Sequence, residues 1–189
     1  MITFWRTLEA LLEKHQSMVF SVALRITGNR ELAEEVAQDV FLELHRNLNN
    51  SGNLNNRHEN GNPEVMSDGQ PDLLCGLQSE DHARFWLRKV ATHRAIDAVR
   101  HRARIPETSE DVSELPGESS AADPLLTQRL RQLVAGLPEK MRAVIVLRYQ
   151  EDLMPEEIAQ TLSMPVATVK SNLYRGLEIL RQKTERVLR

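Results

Sequence analysis

Near the C-terminus, Thr168, Lys170, Ser171, Asn172 and Arg175 fall within two helical turns. On a helix they share one exposed face, while Val166, Val169, Leu173 and Leu177 recur at the three- and four-residue steps of an inward stripe. The exposed set suits one kind of chemistry. Lys and Arg neutralise phosphates, and Ser, Thr and Asn bond base edges in a major groove. The preceding residues fit the same purpose. Ile158, Ala159 and Leu162 form the inward side of a short helix, Ser163-Met164-Pro165 a turn, and Pro165 a first-turn position that sets the entry of the second helix. Small Ala159 permits a steep, close crossing. This spacing alone leaves two readings open: a helix-turn-helix on DNA at about Pro155 to Gly176, and a helical hairpin with a solvated polar face.

Two other groups of residues could do chemistry. From His82 to Arg104 there are seven Lys or Arg and one acid, Asp97. Arg88, Lys89, His93, Arg94 and Arg100 are the cations suited to a nucleic-acid strand, and Trp86 is placed either to stack on a base or to fill a core. Asp97 is spaced to pair with a neighbouring Arg along the helix. Glu34, Glu35, Gln38 and Asp39 form an acidic face with Phe41 or Leu42 as apolar support. That face fits a basic helical partner, or else a solvated surface with some helix-dipole benefit; the second reading is preferred for Glu31. The net charge of -3 conceals this segregation, because 106–123 holds six acids and no base.

Catalysis and metal binding find no support. His15, His45, His58, His82, His93 and His101 are scattered, and Cys75 has no second thiol. There is no phosphate-cradling glycine loop and no nucleophile motif. A non-enzymatic protein without metal or cofactor is expected. The lone cysteine and the absence of a signal-peptide pattern or a bilayer-length apolar run point to the cytoplasm.

The elements that must position these groups are helical. Aromatics are scarce at 4%, so Leu, Val, Ile and Ala must build the core. Trp5–Ile26 reads as a helix closed by Thr27-Gly28-Asn29, with Asn29 the N-cap of a second helix running to about Arg46. An Asn-rich stretch, 47–79, reads as a mobile insertion with a weak apolar patch at Leu73, Leu74, Cys75 and Leu77. Helix resumes near Ser79 or Glu80 and continues to about Arg104. Residues 106–124 read as a flexible acidic linker. Beyond it, Leu125–Ala135, Glu139–Tyr149, Glu156–Leu162 and Val166–Lys183 read as helices. The expectation is an all-α chain of two small helical domains, 1–105 and 125–189, the second ending in the helix-turn-helix.

Leu137-Pro138-Glu139-Lys140-Met141-Arg142, Leu147-Arg148-Tyr149, Glu156-Glu157-Ile158-Ala159 and Thr168-Val169-Lys170-Ser171 resemble region 4 of bacterial extracytoplasmic-function (ECF) sigma factors. Ala33-Glu34-Glu35-Val36-Ala37-Gln38-Asp39-Val40-Phe41, Phe85-Trp86-Leu87-Arg88-Lys89-Val90-Ala91 and Arg94-Ala95-Ile96-Asp97 resemble region 2 of the same family. The resemblance implies a promoter-specificity subunit of RNA polymerase. Its partners would be core polymerase, through the β′ clamp and β flap regions, promoter DNA, and an anti-sigma factor where one exists. Region 4 would read the −35 element through Thr168, Lys170, Ser171, Asn172 and Arg175. Region 2 would read the melted −10 strand through Trp86, Arg88, Lys89, His93, Arg94 and Arg100, and would dock on the β′ coiled coil through Glu34, Glu35, Gln38, Asp39 and Phe41. The acidic linker would run near the RNA exit path, either as a nucleic-acid mimic or as a solvated tether. A stand-alone helix-turn-helix regulator is the alternative, but it has no use for an acidic face paired with a basic helix. Ser163, Ala167, Asn172 and His93 depart from residues frequent in the family, which bears on turn geometry and on the sequences read.

Overall fold

The computed structural model describes residues 2–54, 80–104 and 124–187. Seven helices are present among the described residues: α1 (Ile2–Thr27), α2 (Arg30–Leu54), α3 (Glu80–Arg104), α4 (Pro124–Ala135), α5 (Glu139–Tyr149), α6 (Pro155–Leu162) and α7 (Val166–Val187). No strand occurs among them. The apolar patch at Leu73–Leu77 and the acidic segment 105–123 lie outside the described residues.

Local chemistry accounts for most boundaries. Gly28 has φ +69°, the left-handed conformation that closes a helix cheaply only for glycine, and its N–H returns to the Leu24 carbonyl at 2.9 Å. Asn29 then caps α2: its Oδ1 accepts the Leu32 N–H at 2.9 Å, as expected from the sequence. Helix α1 begins at Ile2 rather than Trp5 and α7 runs to Val187 rather than Lys183, but the largest difference is in α2. Helix α2 continues to Leu54, through the first part of the Asn-rich stretch, rather than ending near Arg46. Asn, Ser and Gly are poor helix formers and carry no helical signal of their own; the extension follows a helix already nucleated upstream, so no initiation cost is added.

Helices α1, α2 and α3 pack against one another, and α5, α6 and α7 form a second group. Val19, Val22, Ile26, Val40, Leu44 and Leu87 are fully buried in the first; Val144, Leu147, Ile158 and Val169 are fully buried in the second. Each such side chain contributes about 1.5–3 kcal/mol of burial free energy. The two groups also meet. α1 packs on α5, and α3 packs on both α5 and α6, so that one continuous apolar cluster runs through both halves.

Candidate nucleic-acid interface

The helix-turn-helix forms where the sequence places it. Pro155 opens α6 at a position whose missing N–H costs nothing, and Glu157 Oε2 accepts the Met154 N–H at 2.7 Å. The turn is made by Ser163 in the left-handed conformation, φ 51° and ψ 47°. The Met164 N–H closes it on the Ala159 carbonyl at 3.0 Å. Serine therefore adopts the geometry that glycine would supply, at a conformational cost of about 1–2 kcal/mol for an L-residue. Pro165 stands one residue before α7 rather than inside its first turn, and its carbonyl accepts the Thr168 and Val169 N–H groups.

Val169, with no exposed surface, anchors α7 against Ile158 and Ala159, which are themselves buried. Thr168, Lys170, Ser171 and Arg175 are exposed as a result, and Asn172 is half-buried. Lys170 Nζ lies 3.6 Å from Glu156 Oε1, a solvent-facing pair. Tyr174, absent from the expected set, is the most exposed of the large apolar side chains among the described residues, at 75%. Leu177 departs from the inward stripe: it is 43% exposed and borders an unfilled groove with Leu24, Tyr149 and Leu180. Gly176 faces inward instead. A Cβ there would stand 3.0 Å from Met141 Cγ and 3.2 Å from Ile145 Cγ1, so glycine lets α7 approach α5 closely.

On α3 the structure separates residues that look equivalent in sequence. Trp86 is buried, 5% exposed, and belongs to the core, the second of its two readings. Arg88 is also buried, and its Nε donates to Glu151 Oε2 at 3.0 Å. His93 donates from Nε2 to the Thr161 carbonyl at 2.9 Å. Arg94 Nη2 donates to Glu43 Oε2 at 2.8 Å, with Asp39 Oδ2 at 3.9 Å. Arg100 Nε donates to Glu139 Oε1 at 3.1 Å and lies 3.6 Å from Asp97, the helical pair that the spacing suggested. Glu139 is held below the ordinary carboxylate range, first by its own backbone N–H and then, against desolvation, by Arg100. Lys89 is half-buried.

The acidic face of α2 divides in two. Glu34, Gln38, Phe41 and Leu42 line a groove of about 930 Å³ against Leu8, Leu12 and Phe20 of α1. Glu35 and Asp39 face the other side, towards Arg94, Arg100 and Arg104 of α3. Glu34, Glu35, Gln38 and Asp39 are exposed and Phe41 is half-buried.

Glu43, Glu139, Glu151 and Arg142 were not among the expected site residues. Arg142 is 8% exposed; its Nη1 donates to the Ile26 carbonyl at 2.6 Å and its Nη2 to the Leu137 carbonyl at 2.9 Å. Desolvation lowers its pKa, opposed by Glu139. No periodicity signals a pairing across more than a hundred residues. No cluster of three or more potential metal ligands exists among the described residues.

A helical protein with an exposed polar helix closing a helix-turn-helix in one half and a cation-rich helix beside an acidic face in the other defines a class: a helical DNA-binding protein. Residues 127–180 match sigma-70 region 4, and residues 11–53 match sigma-70 region 2. ECF sigma factor SigL of Mycobacterium tuberculosis is 30% identical over 181 residues, covering 92% of this chain and 86% of its own. ECF sigma factor SigW of Bacillus subtilis is 25% identical, with 92% and 86% covered. SigE of Mycolicibacterium smegmatis is 28% identical over 92% of this chain, which spans 60% of that relative's length. Among solved structures, the sigma factor RpoE of Bartonella quintana, in complex with the anti-sigma factor NepR, superposes with a TM-score of 0.62 over 94% of this chain and 96% of that one, at 15% identity. The chain belongs to the extracytoplasmic-function sigma factors of the sigma-70 family.

Proposed function

We propose that this chain, as a promoter-specificity subunit of RNA polymerase, divides promoter reading between α7 and α3 and reserves α2 for docking on core polymerase. The observation that carries the reading is the recognition helix. Val169 is fully buried while Thr168, Lys170, Ser171 and Arg175 stand exposed on α7. Such a helix fits a major groove, where Lys170 and Arg175 meet phosphates and Ser171, Asn172 and Thr168 meet base edges of the −35 duplex. On α3, Arg88, Lys89, His93, Arg94 and Arg100 supply the cationic track for a melted −10 strand. Trp86, expected beside them, is buried in the core, as Arg88 is. On α2, Glu34, Gln38 and Phe41 offer an acidic and apolar edge to a basic helix of the polymerase clamp, and Glu35 and Asp39 flank it.

The protein would direct the polymerase's chemistry without performing any of its own, in the cytoplasm where polymerase works. No described helix is long and apolar enough to cross a membrane. The β flap would meet the second half, and a partner of the anti-sigma type, such as the one bound to RpoE, is proposed for this chain as well. Run-off transcription with purified core polymerase on a pool of genomic promoters tests the assignment. Promoter-dependent initiation is expected. Its absence on every template, with DNA binding intact, would favour the stand-alone regulator. Charge reversal at Glu35 and Asp39 should weaken binding to core polymerase and leave binding to −35 duplex unchanged; equal effects on both would remove α2 from the docking role.

A further inference from the structure

The groove between α1 and α2 gathers apolar side chains that the core does not fully cover. Leu12, Phe20 and Phe41 are half-buried along it, and Leu42 is 50% exposed. Its volume of about 930 Å³ takes several side chains of a peptide. Apolar surface concentrated in one concavity marks a site of association. Arg30 and Glu34 border the groove and pair with each other at 2.8 Å. It therefore suits an uncharged, leucine-bearing occupant.

The chain carries such a segment close by. Residues 73–79, Leu73-Leu74-Cys75-Gly76-Leu77-Gln78-Ser79, hold three leucines and no charge, and they run directly into α3 at Glu80. The start of α3 is held on α1, where Glu80 Oε1 pairs with Lys14 Nζ at 2.6 Å. Lys14 lies two residues from both Leu12 and Gln16, which line the groove. The way from Lys14 round α1 to the groove is of the order of one helix diameter, about 10–12 Å. Leu77 stands three residues before Glu80 and Leu73 seven. Extended chain covers about 10 Å and about 24 Å over those separations. On the other side, 18 residues lie between Leu54 and Leu73, so the end of α2 does not hold the segment back.

We propose that Leu73–Leu77 docks in the α1–α2 groove of its own chain and competes there with core polymerase. The inference rests on the reading of α2 as the polymerase-docking helix and deepens it. The leucines shed water against Leu12, Phe20 and Leu42, which shed theirs in turn. A tether of a few residues gives the segment a local concentration in the millimolar range, so even a weak apolar contact is occupied in most free chains. Gln38 and Phe41, assigned to polymerase docking, line the same groove, and the two occupants exclude each other. The apparent affinity for core polymerase is then reduced to the fraction of chains in which the groove is open.

The test uses the full chain and its native thiol, since Cys75 is the only cysteine. The rate at which Cys75 reacts with a maleimide fluorophore is measured in native buffer and in urea, and the ratio is its protection. In the wild type about tenfold protection is expected, independent of protein concentration. Leu73→Ser with Leu74→Ser, and separately Leu42→Asp in the groove, should each bring protection below about twofold with helicity unchanged by circular dichroism. Titration of core polymerase is the second readout. The serine pair should tighten core binding by the same factor that it loses in protection, about tenfold. A wild-type Cys75 that reacts as fast in native buffer as in urea would overturn the docking. Protection that survives Leu42→Asp would overturn the groove as the site. Protection that rises with protein concentration would make the occupant a second copy and overturn the contact within one chain. Protection lost by the serine pair without a gain in core binding would overturn the competition, and with it polymerase docking in this groove, while leaving the segment's own docking supported. If Leu42→Asp loses helicity, Leu42→Ser is read in the same way.

Discussion

Lys170→Ala gives the most direct access to the recognition helix. The Lys170 side chain is 63% exposed, and its only ionic contact among the described residues is Glu156 at 3.6 Å. A pair so exposed holds the ammonium by well under about 1 kcal/mol, so the side chain can swing to a phosphate at little cost. Each phosphate neutralised on B-DNA contributes a slope of about −0.9 to log affinity against log salt. A fourfold rise in salt should therefore weaken wild-type binding about 3.5-fold more than Lys170→Ala binding, since four raised to the power 0.9 is about 3.5. The assay is fluorescence anisotropy of a −35 duplex with the full chain, repeated across a salt series. Ser171→Ala provides the contrast: it should alter discrimination among duplex sequences and leave the slope unchanged. Glu156→Gln, which frees Lys170, should leave the slope intact and raise affinity slightly. An unchanged slope in Lys170→Ala would refute the phosphate contact, and an altered slope in Ser171→Ala would refute the division of roles.

Three further outcomes are expected. Ser163→Gly relieves the left-handed strain at φ 51°, worth about 1–2 kcal/mol, against a glycine entropy cost of about 0.5–1 kcal/mol. Urea unfolding should thus show a net stabilisation of about 0.5–1 kcal/mol with duplex binding unchanged; destabilisation would contradict the turn geometry. Gly176→Val should cost about 1–3 kcal/mol by forcing α7 off Met141 and Ile145, read as a lowered urea midpoint. His15 is 4% exposed, its Nε2 is without a hydrogen-bond partner, and desolvation lowers its pKa below the ordinary imidazole value of 6.5, opposed by Glu80. The unfolded chain therefore binds a proton that the folded chain does not, and stability should fall as pH drops from about 6.5 towards the lowered folded value. His15→Gln should flatten the stability–pH profile in that window; an unchanged profile would exclude His15 as its source.

Much of the molecule was legible in the one-dimensional pattern. The helix-turn-helix was, because its signals are local: three- and four-residue apolar steps, proline next to helix starts, and a short turn between. Asn29 as an N-cap was legible for the same reason, since a cap acts on residues two and three positions away. Even the Asp97–Arg100 pair is a property of helical spacing. The extension of α2 to Leu54 was not, because low-propensity residues are carried by a helix already nucleated upstream.

Residue type alone decides that Arg88, Trp86 and Arg142 are a cation, an aromatic and a cation on helices. It does not decide what surrounds them. Burial is set by which helix face meets another element, and that is settled when α3 packs against α1, α5 and α6 and α1 packs against α5. Only then does Trp86 become core, Arg88 become the partner of Glu151, and Arg142 become the clasp on Ile26. The local pattern determined the recognition helix and its exposed chemistry. Tertiary packing determined that Arg88 of the second cationic helix is covered, because ion pairs between residues 63 apart depend on the path of the whole chain and leave no trace in any window of it.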